Sequence, residues 1–284
     1  MKLLDWIDES KIAWGELCSN PNAVHLLEKN PDKINWNYLS ENPNAMHLLK
    51  QNPDKIAFNQ LCRNTNPEAI SILEANYEKI NWPVLCENPS AISLIERRLT
   101  EPYIPEISFL DFRNLPPRKN IDWYFLSKNP NALHIMEQNP YKIKWDGLSR
   151  NPNAIRLLEK NPDKINWYIL SSNPNAIHLL EKNTDKINWN WLSKNPNAIH
   201  LLEQNLDKIS WWNLSENPNA IHLLEQNPDK IIPYYLSSNP AIFTYDYDAM
   251  RDSNRELKEE LMKAVWHPKR IQRWLDAGMD LDDL

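Results

Sequence analysis

Apolar and polar positions along this chain recur every 22 residues, a period far longer than that of one helix or strand. Trp123, Trp145, Trp167, Trp189 and Trp211 mark one apolar column, Trp14 and Trp36 begin the same column near the N-terminus, and Phe58 takes the place of Trp in the next copy. Self-similarity at this spacing is the signature of a solenoid, whose units pack on their neighbours. Within each copy, Trp-x-x-Leu is followed by a second apolar cluster such as Ala45, Met46, Leu48 and Leu49. The pattern predicts an all-α solenoid of short paired helices with a helical C-terminal cap.

Punctuation places the helix ends. Asn35, Asn81, Asp122, Asn166, Asn188 and Ser210 precede the aromatic column and suit an N-cap. Pro83 follows Trp82 and Pro233 replaces the Trp, so the first helix, helix A, begins here, since proline is tolerated in a first turn. An Asn-Pro pair such as Asn42-Pro43 then closes helix A and opens helix B. A second pair, such as Asn52-Pro53, ends helix B. Each helix is about two turns long and cannot persist alone in water, so stacking must hold the units.

These signals divide the chain into a first repeat block (1–98), a degenerate unit or insertion (99–120), a second block (121–246) and a helical cap (247–284). The spacing from Phe58 to Trp82 is 24 because Thr65-Asn66 lengthens one turn. Between Trp82 and Trp123 it is 41, and Ile107, Phe109 and Phe112 there keep the register of a helix A that has lost its helix B. Such a unit is expected to bend or offset the stack, with the proline-flanked Tyr103-Ile104 exposed and protease-sensitive. Ser253-Asn254-Arg255-Glu256 reads as a capping box that opens a helix carrying Leu257, Leu261 and Val265. Trp266-His267-Pro268 breaks that helix, and Gly278 ends the last one.

A net charge of -6 and a pI near 5.7 disfavour nucleic acid and anionic membranes as partners. Three glycines, none clustered, supply no phosphate cradle. The N-terminus does not read as a secretory signal and no stretch has the length of a membrane span, so a soluble, intracellular protein is expected. Cys18, Cys62 and Cys86 share a column with serines such as Ser40 and Ser127, which assigns them to small packing positions. His25, His47, His134, His178, His200 and His222 also share a column, but helix packing would separate neighbours by roughly 10 Å, too far for one metal ion. The Trp column reads as core, and the Glu and Lys rows (Glu159, Glu181; Lys164, Lys186) as solvated pairing between units.

The columns just after the Trp vary while their surroundings stay nearly constant. They hold Tyr38, Tyr124, Tyr168, Trp191, Trp212, Tyr234 and Tyr235, together with Asp146/Gly147 and Asn213. Aromatics on positions turned away from a Trp-x-x-Leu stripe resemble an interface composition. Those seven aromatics are the candidate partner-binding residues. No nucleophile–base constellation stands apart from the ladders, so neither catalysis nor a cofactor is expected.

The phrase Asn173-Pro174-Asn175-Ala176-Ile177-His178-Leu179-Leu180-Glu181-Lys182 resembles repeats in proteins of giant DNA viruses of protists. The ending His267-Pro268-Lys269-Arg270-Ile271 is similar to tails on such proteins. A fainter similarity is to leucine-rich variant repeats, from which the Trp column and the period depart. The resemblance implies residence in the cytoplasm of an infected host cell or in the virus particle, and no catalytic site. Three functions follow as expectations: a non-enzymatic scaffold for a host or viral protein, a structural part of a particle, and, least favoured, a single-stranded nucleic-acid binder.

Overall fold

The computed structural model describes residues 1–100 and 121–278 and is built almost entirely of short helices. Ten paired-helix units occur among the described residues, with helix A starting at Trp14, Trp36, Phe58, Trp82, Trp123, Trp145, Trp167, Trp189, Trp211 and Pro233. They are numbered 1 to 10 in that order. Helix A holds four to six residues, about one turn and shorter than its pattern suggests. Asn35, Asp122, Asn166 and Asn188 cap it through their side-chain oxygens as expected. Ser210 makes no such cap and instead accepts a bond from the Asn213 amide. In half of the units helix B opens with a 3-10 turn on the proline, as at Pro130–Ala132, and continues as α-helix.

What joins the units is the first asparagine of each Asn-Pro phrase. Its Oδ1 accepts the N–H two residues on (Asn44 N–H to Asn42), as an N-cap does. Its Nδ2 donates both protons backward, to two main-chain carbonyls of the preceding unit: Asn42 to Cys18 and Asn20, Asn173 to Ser149 and Asn151. The row runs through Asn20, Asn42, Asn64, Asn88, Asn129, Asn151, Asn173, Asn195, Asn217 and Asn239, all buried. The amide is saturated; the helix-end carbonyl, Cys18 or Ser149, gains the partner that helix geometry denies it, and the asparagine carbonyl, which already accepts from an N–H of its own unit (Ala23 to Asn20, Ala154 to Asn151), gains a second. A second row runs beside it. Ser40 Oγ donates to the Trp36 carbonyl one turn back and accepts the N–H of Ala57 from the next unit. Cys18 occupies the same slot, its sulfur accepting from Asn35 N–H, which explains why Cys and Ser interchange.

Both rows close on themselves. Asn20, in unit 1, donates to the carbonyls of Ser237 and Asn239 in unit 10 at 3.1 and 2.9 Å. Ala13 N–H donates to Ser237 Oγ, and Asn22 Nδ2 to the Pro240 carbonyl, the bonds that equivalent residues make at interior interfaces. A two-stranded sheet of β1 (Lys2–Leu3) and β2 (Phe243–Thr244) lies at this seam, with Leu4 N–H donating to the Ile242 carbonyl. The compact body Leu3–Phe243 is therefore a closed ring of units.

The expected bend at 99–120 meets the same row. Asn129 donates to the carbonyls of Cys86 and Asn88, so units 4 and 5 are direct neighbours in the asparagine row. Helix B of unit 4 runs to Thr100, and Tyr103, Ile104, Ile107, Phe109 and Phe112 lie outside the described residues.

Met1–Lys2 and Thr244–Leu284 form a second compact body. Its first helix, Tyr247–Val265, starts earlier than the capping box suggests: Asp246 accepts from Ala249 N–H, and Ser253 lies inside the helix. His267 caps a second helix, Pro268–Asp276, and Gly278 follows at φ 82°, where a glycine is at ease. Leu257 and Leu261 are exposed. Within Leu3–Phe243, the apolar end of unit 10 is met by unit 1.

Replacing Asn173 by Ala strands the Ser149 carbonyl and the Asn175 N–H and removes one of the two bonds to the Asn151 carbonyl. At about 1–3 kcal/mol for each unsatisfied group, the loss should reach roughly 2 kcal/mol or more in urea unfolding. A loss under about 1 kcal/mol would show that the row is incidental.

Candidate protein-interaction face

The face that carries the candidate residues belongs to helix A, and its side chains converge. Tyr168 of unit 7 packs edge-on against Trp191 of unit 8, with centroids 6.1 Å apart. The Arg150 guanidinium of unit 6 lies 4.7 Å from the same Trp191 ring, passing over unit 7. Tyr234 of unit 10 hydrogen-bonds to Glu16 of unit 1 and Tyr38 of unit 2, and both bonds raise its hydroxyl above the usual phenol range. Contacts that skip a unit need a concave surface, because side chains on a convex surface diverge. Helix A therefore lines the inner side of the ring.

Of the seven candidates, Tyr168, Trp212 and Tyr234 are about half exposed, while Tyr38, Tyr124, Trp191 and Tyr235 are half-buried against their neighbours. Three groups result: Tyr124 with Phe125, Tyr168 with Trp191, and Trp212 with Tyr235 and Tyr234. Two other variable positions do not contribute. Asn213 is buried, and Gly147 lets helix A of unit 6 press on that of unit 5, where an added Cβ would come within 2.4 Å of the Tyr124 carbonyl oxygen.

Charge is unevenly distributed on this face. Lys128, Arg150 and Lys194 accompany the aromatics of units 5 to 8, beside the exposed Asp146 of unit 6, whereas Glu216, Glu16 and Glu41 accompany those of units 9, 10, 1 and 2; Lys194 and Glu216 pair where the two groups meet. Lys128 lies over the rings of Tyr124 and Phe125 and pairs with Glu87 at 3.8 Å; burial is the main cause that lowers its pKa. Burial raises the Glu41 carboxyl, Arg63 opposes this, and Glu16 and Glu87 add to it.

The repeated columns are ladders. The Trp column is mostly half-buried, not sealed in the core, and Trp82 is its buried exception. Over most of these rings sits a lysine from the turn ahead of the next unit, from Lys33 at 4.0 Å over Trp14 to Lys164 at 4.8 Å over Trp145. These lysines stack on aromatic faces where pairing with Glu was expected. The Glu row meets the His row instead: Glu28 with His47, Glu96 with His134, Glu181 with His200. Each is a two-member contact between neighbouring units, and among the described residues no group of three or more His, Cys, Asp or Glu could hold a metal ion. No described helix is long and apolar enough to cross a membrane. Comparison with family models, curated proteins and solved structures returns no match to this chain.

The missed residues are the asparagines of the closing row, read from sequence as caps alone. One signal could have revealed them: in unit 3 the proline is displaced to Pro67 by Thr65-Asn66, yet Asn64 keeps its place.

Two outcomes follow from the buried groups. Burial pushes the thiols of Cys62 and Cys86 up to about 11 and about 12, and raises that of Cys18. At pH 8 the folded chain should show no thiol fast toward a disulfide reagent and the unfolded chain three; one fast native thiol would contradict this. For Glu41, a folded-state pKa above the unfolded one makes the protonated form the stable partner of the fold. Its ionisation costs stability as pH rises through that range. Glu41→Gln should thus stabilise at pH 7 by roughly a few tenths of a kcal/mol, with the gain gone below about pH 4.

Proposed function

We propose that this chain is a non-enzymatic binding scaffold whose ring presents aromatic side chains of helix A to a segment of another protein. The observation that carries this reading is the set of half-exposed Tyr168, Trp212 and Tyr234 on a concave surface. Large aromatics held at this exposure by neighbouring rings are rigid, lose little entropy on binding, and are the residue types that dominate interface energetics. Their backbone is fixed by the asparagine row, so the site is preorganised. The basic arc of units 5 to 8 and the acidic arc of units 9 to 2 would orient a segment with charges of both signs.

A particle component that acts by stacking has less support, because the ring brings its first and last units together and leaves no open end at which units could add. The acidic balance and the Glu residues on the face likewise weigh against a single-stranded nucleic acid.

Selection of displayed peptides on the folded protein tests the reading. Peptides should be recovered on the native chain, and binding should fall by about tenfold or more in a Tyr168→Ala, Trp212→Ala, Tyr234→Ala variant. Thermal stability should change little, since all three are half exposed. If the triple variant bound the same peptides equally well, or unfolded on substitution, the helix A face would not be the interface.

A further inference from the structure

One interface of the ring differs from the rest in a way that has the form of a ligand site. Nine units place an aromatic ring at the first position of helix A, and unit 10 places Pro233 there. At a regular interface the ring lies beneath a lysine from the turn ahead of the next unit, as Trp211 lies beneath Lys230 at 4.6 Å. Because the ring is closed, the turn after unit 10 is the one ahead of unit 1, Glu9–Lys11, which ends one residue before Ile12 just as Pro31–Lys33 ends one before Ile34. Lys11 is therefore in register with Lys33 and Lys230, and in register beneath it stands a proline.

A cavity of about 330 Å³ opens between these elements, lined by Pro233, Ile231, Leu236, Ile242, Trp6 and Ile7, with Lys11 among its wall residues. Its size is at the lower end for small-molecule sites, and its walls are mostly apolar, as such sites are. Lys11 reaches Asp8 at 3.6 Å, and both side chains remain well exposed, so the ammonium is not locked away from the cavity.

We propose that this seam cavity binds a small, flat, neutral aromatic molecule of the indole class. The ligand would supply from outside the ring that the chain supplies at its other interfaces, packed against Ile231 and Leu236, walled by Trp6 and stacked by the Lys11 ammonium. The acidic Asp8 and Asp229 in the lining disfavour an anionic derivative. The site is separate from the helix A face, and its fate does not depend on whether that face binds protein.

Titration of the full chain with indole, observed on isotope-labelled isoleucine methyl groups, tests this directly. Saturable shifts are expected at Ile7, Ile12, Ile231 and Ile242 with a dissociation constant on the order of 10⁻⁴ M, while Ile143 and Ile187 at regular interfaces stay unmoved. Pro233→Trp, which supplies the ring internally, should raise Tm and weaken indole binding by about tenfold or more. Indole-3-acetate should bind less tightly than indole. Unmoved seam methyls, or equal shifts at every interface, would overturn the proposal even if the Pro233→Trp chain did not fold. Unchanged affinity in a folded Pro233→Trp chain would overturn it as well.

Discussion

A side-chain amide that donates twice holds this molecule together. Helices of one turn cannot satisfy their own ends: most of their carbonyls fall within the last turn and face a neighbouring unit instead of water. The asparagine that opens each helix B meets this with its two amide protons, one for each of two carbonyls of the unit behind, while its oxygen caps its own helix. Among the described residues no buried side-chain polar atom is left without a partner. Leucine packing, the serine–cysteine row and the Lys-on-Trp stack all follow the spacing that this amide sets.

Closure changes the energetics of a repeat protein. An open array of short units leaves an apolar face at each end, which is why solenoids carry dedicated caps. Here the contact between units 10 and 1 replaces two exposed faces with one more interface of the regular kind. The seam has its own irregularities, with Phe243 edge-on to His25 and Pro233 in the aromatic column, and it is at the seam that a cavity forms. Concavity then concentrates the variable positions of helix A on one inner surface, so residues far apart in sequence, such as Tyr234 and Tyr38, come into contact.

Much of the fold could be read from the chain, because its signals are local. Pro83 and Pro233 mark a first turn, Asn-Pro marks a boundary, and a 22-residue period marks stacking. Closure could not be read, since the angle between units is a small quantity summed over ten interfaces and no single unit encodes it. The capping box at Ser253 misled because a helix can run through such a sequence when an earlier cap, Asp246, already opens it. The lysine row misled because a cation three residues before the next Trp lies over the preceding one, a relation that spacing along the chain does not display. Of the candidate face, the aromatic positions were legible, and the split between them was not: Tyr168, Trp212 and Tyr234 stand one residue after the start of helix A and are exposed, whereas Tyr38, Trp191 and Tyr235 stand two after it and are half-buried.

Closure is most directly tested by a distance. Ser10 and Asp229 are exposed and hold the same place in the turns ahead of units 1 and 10, as Asp163 and Asp185 do ahead of units 7 and 8. Spin labels on cysteines at the two pairs, in a chain whose native thiols remain buried, should give the same separation by pulsed electron resonance, on the order of 10–20 Å with the length of the labels included. A chain whose first and last units stay apart would instead give Ser10–Asp229 a separation several times that of Asp163–Asp185, and the ring would be wrong.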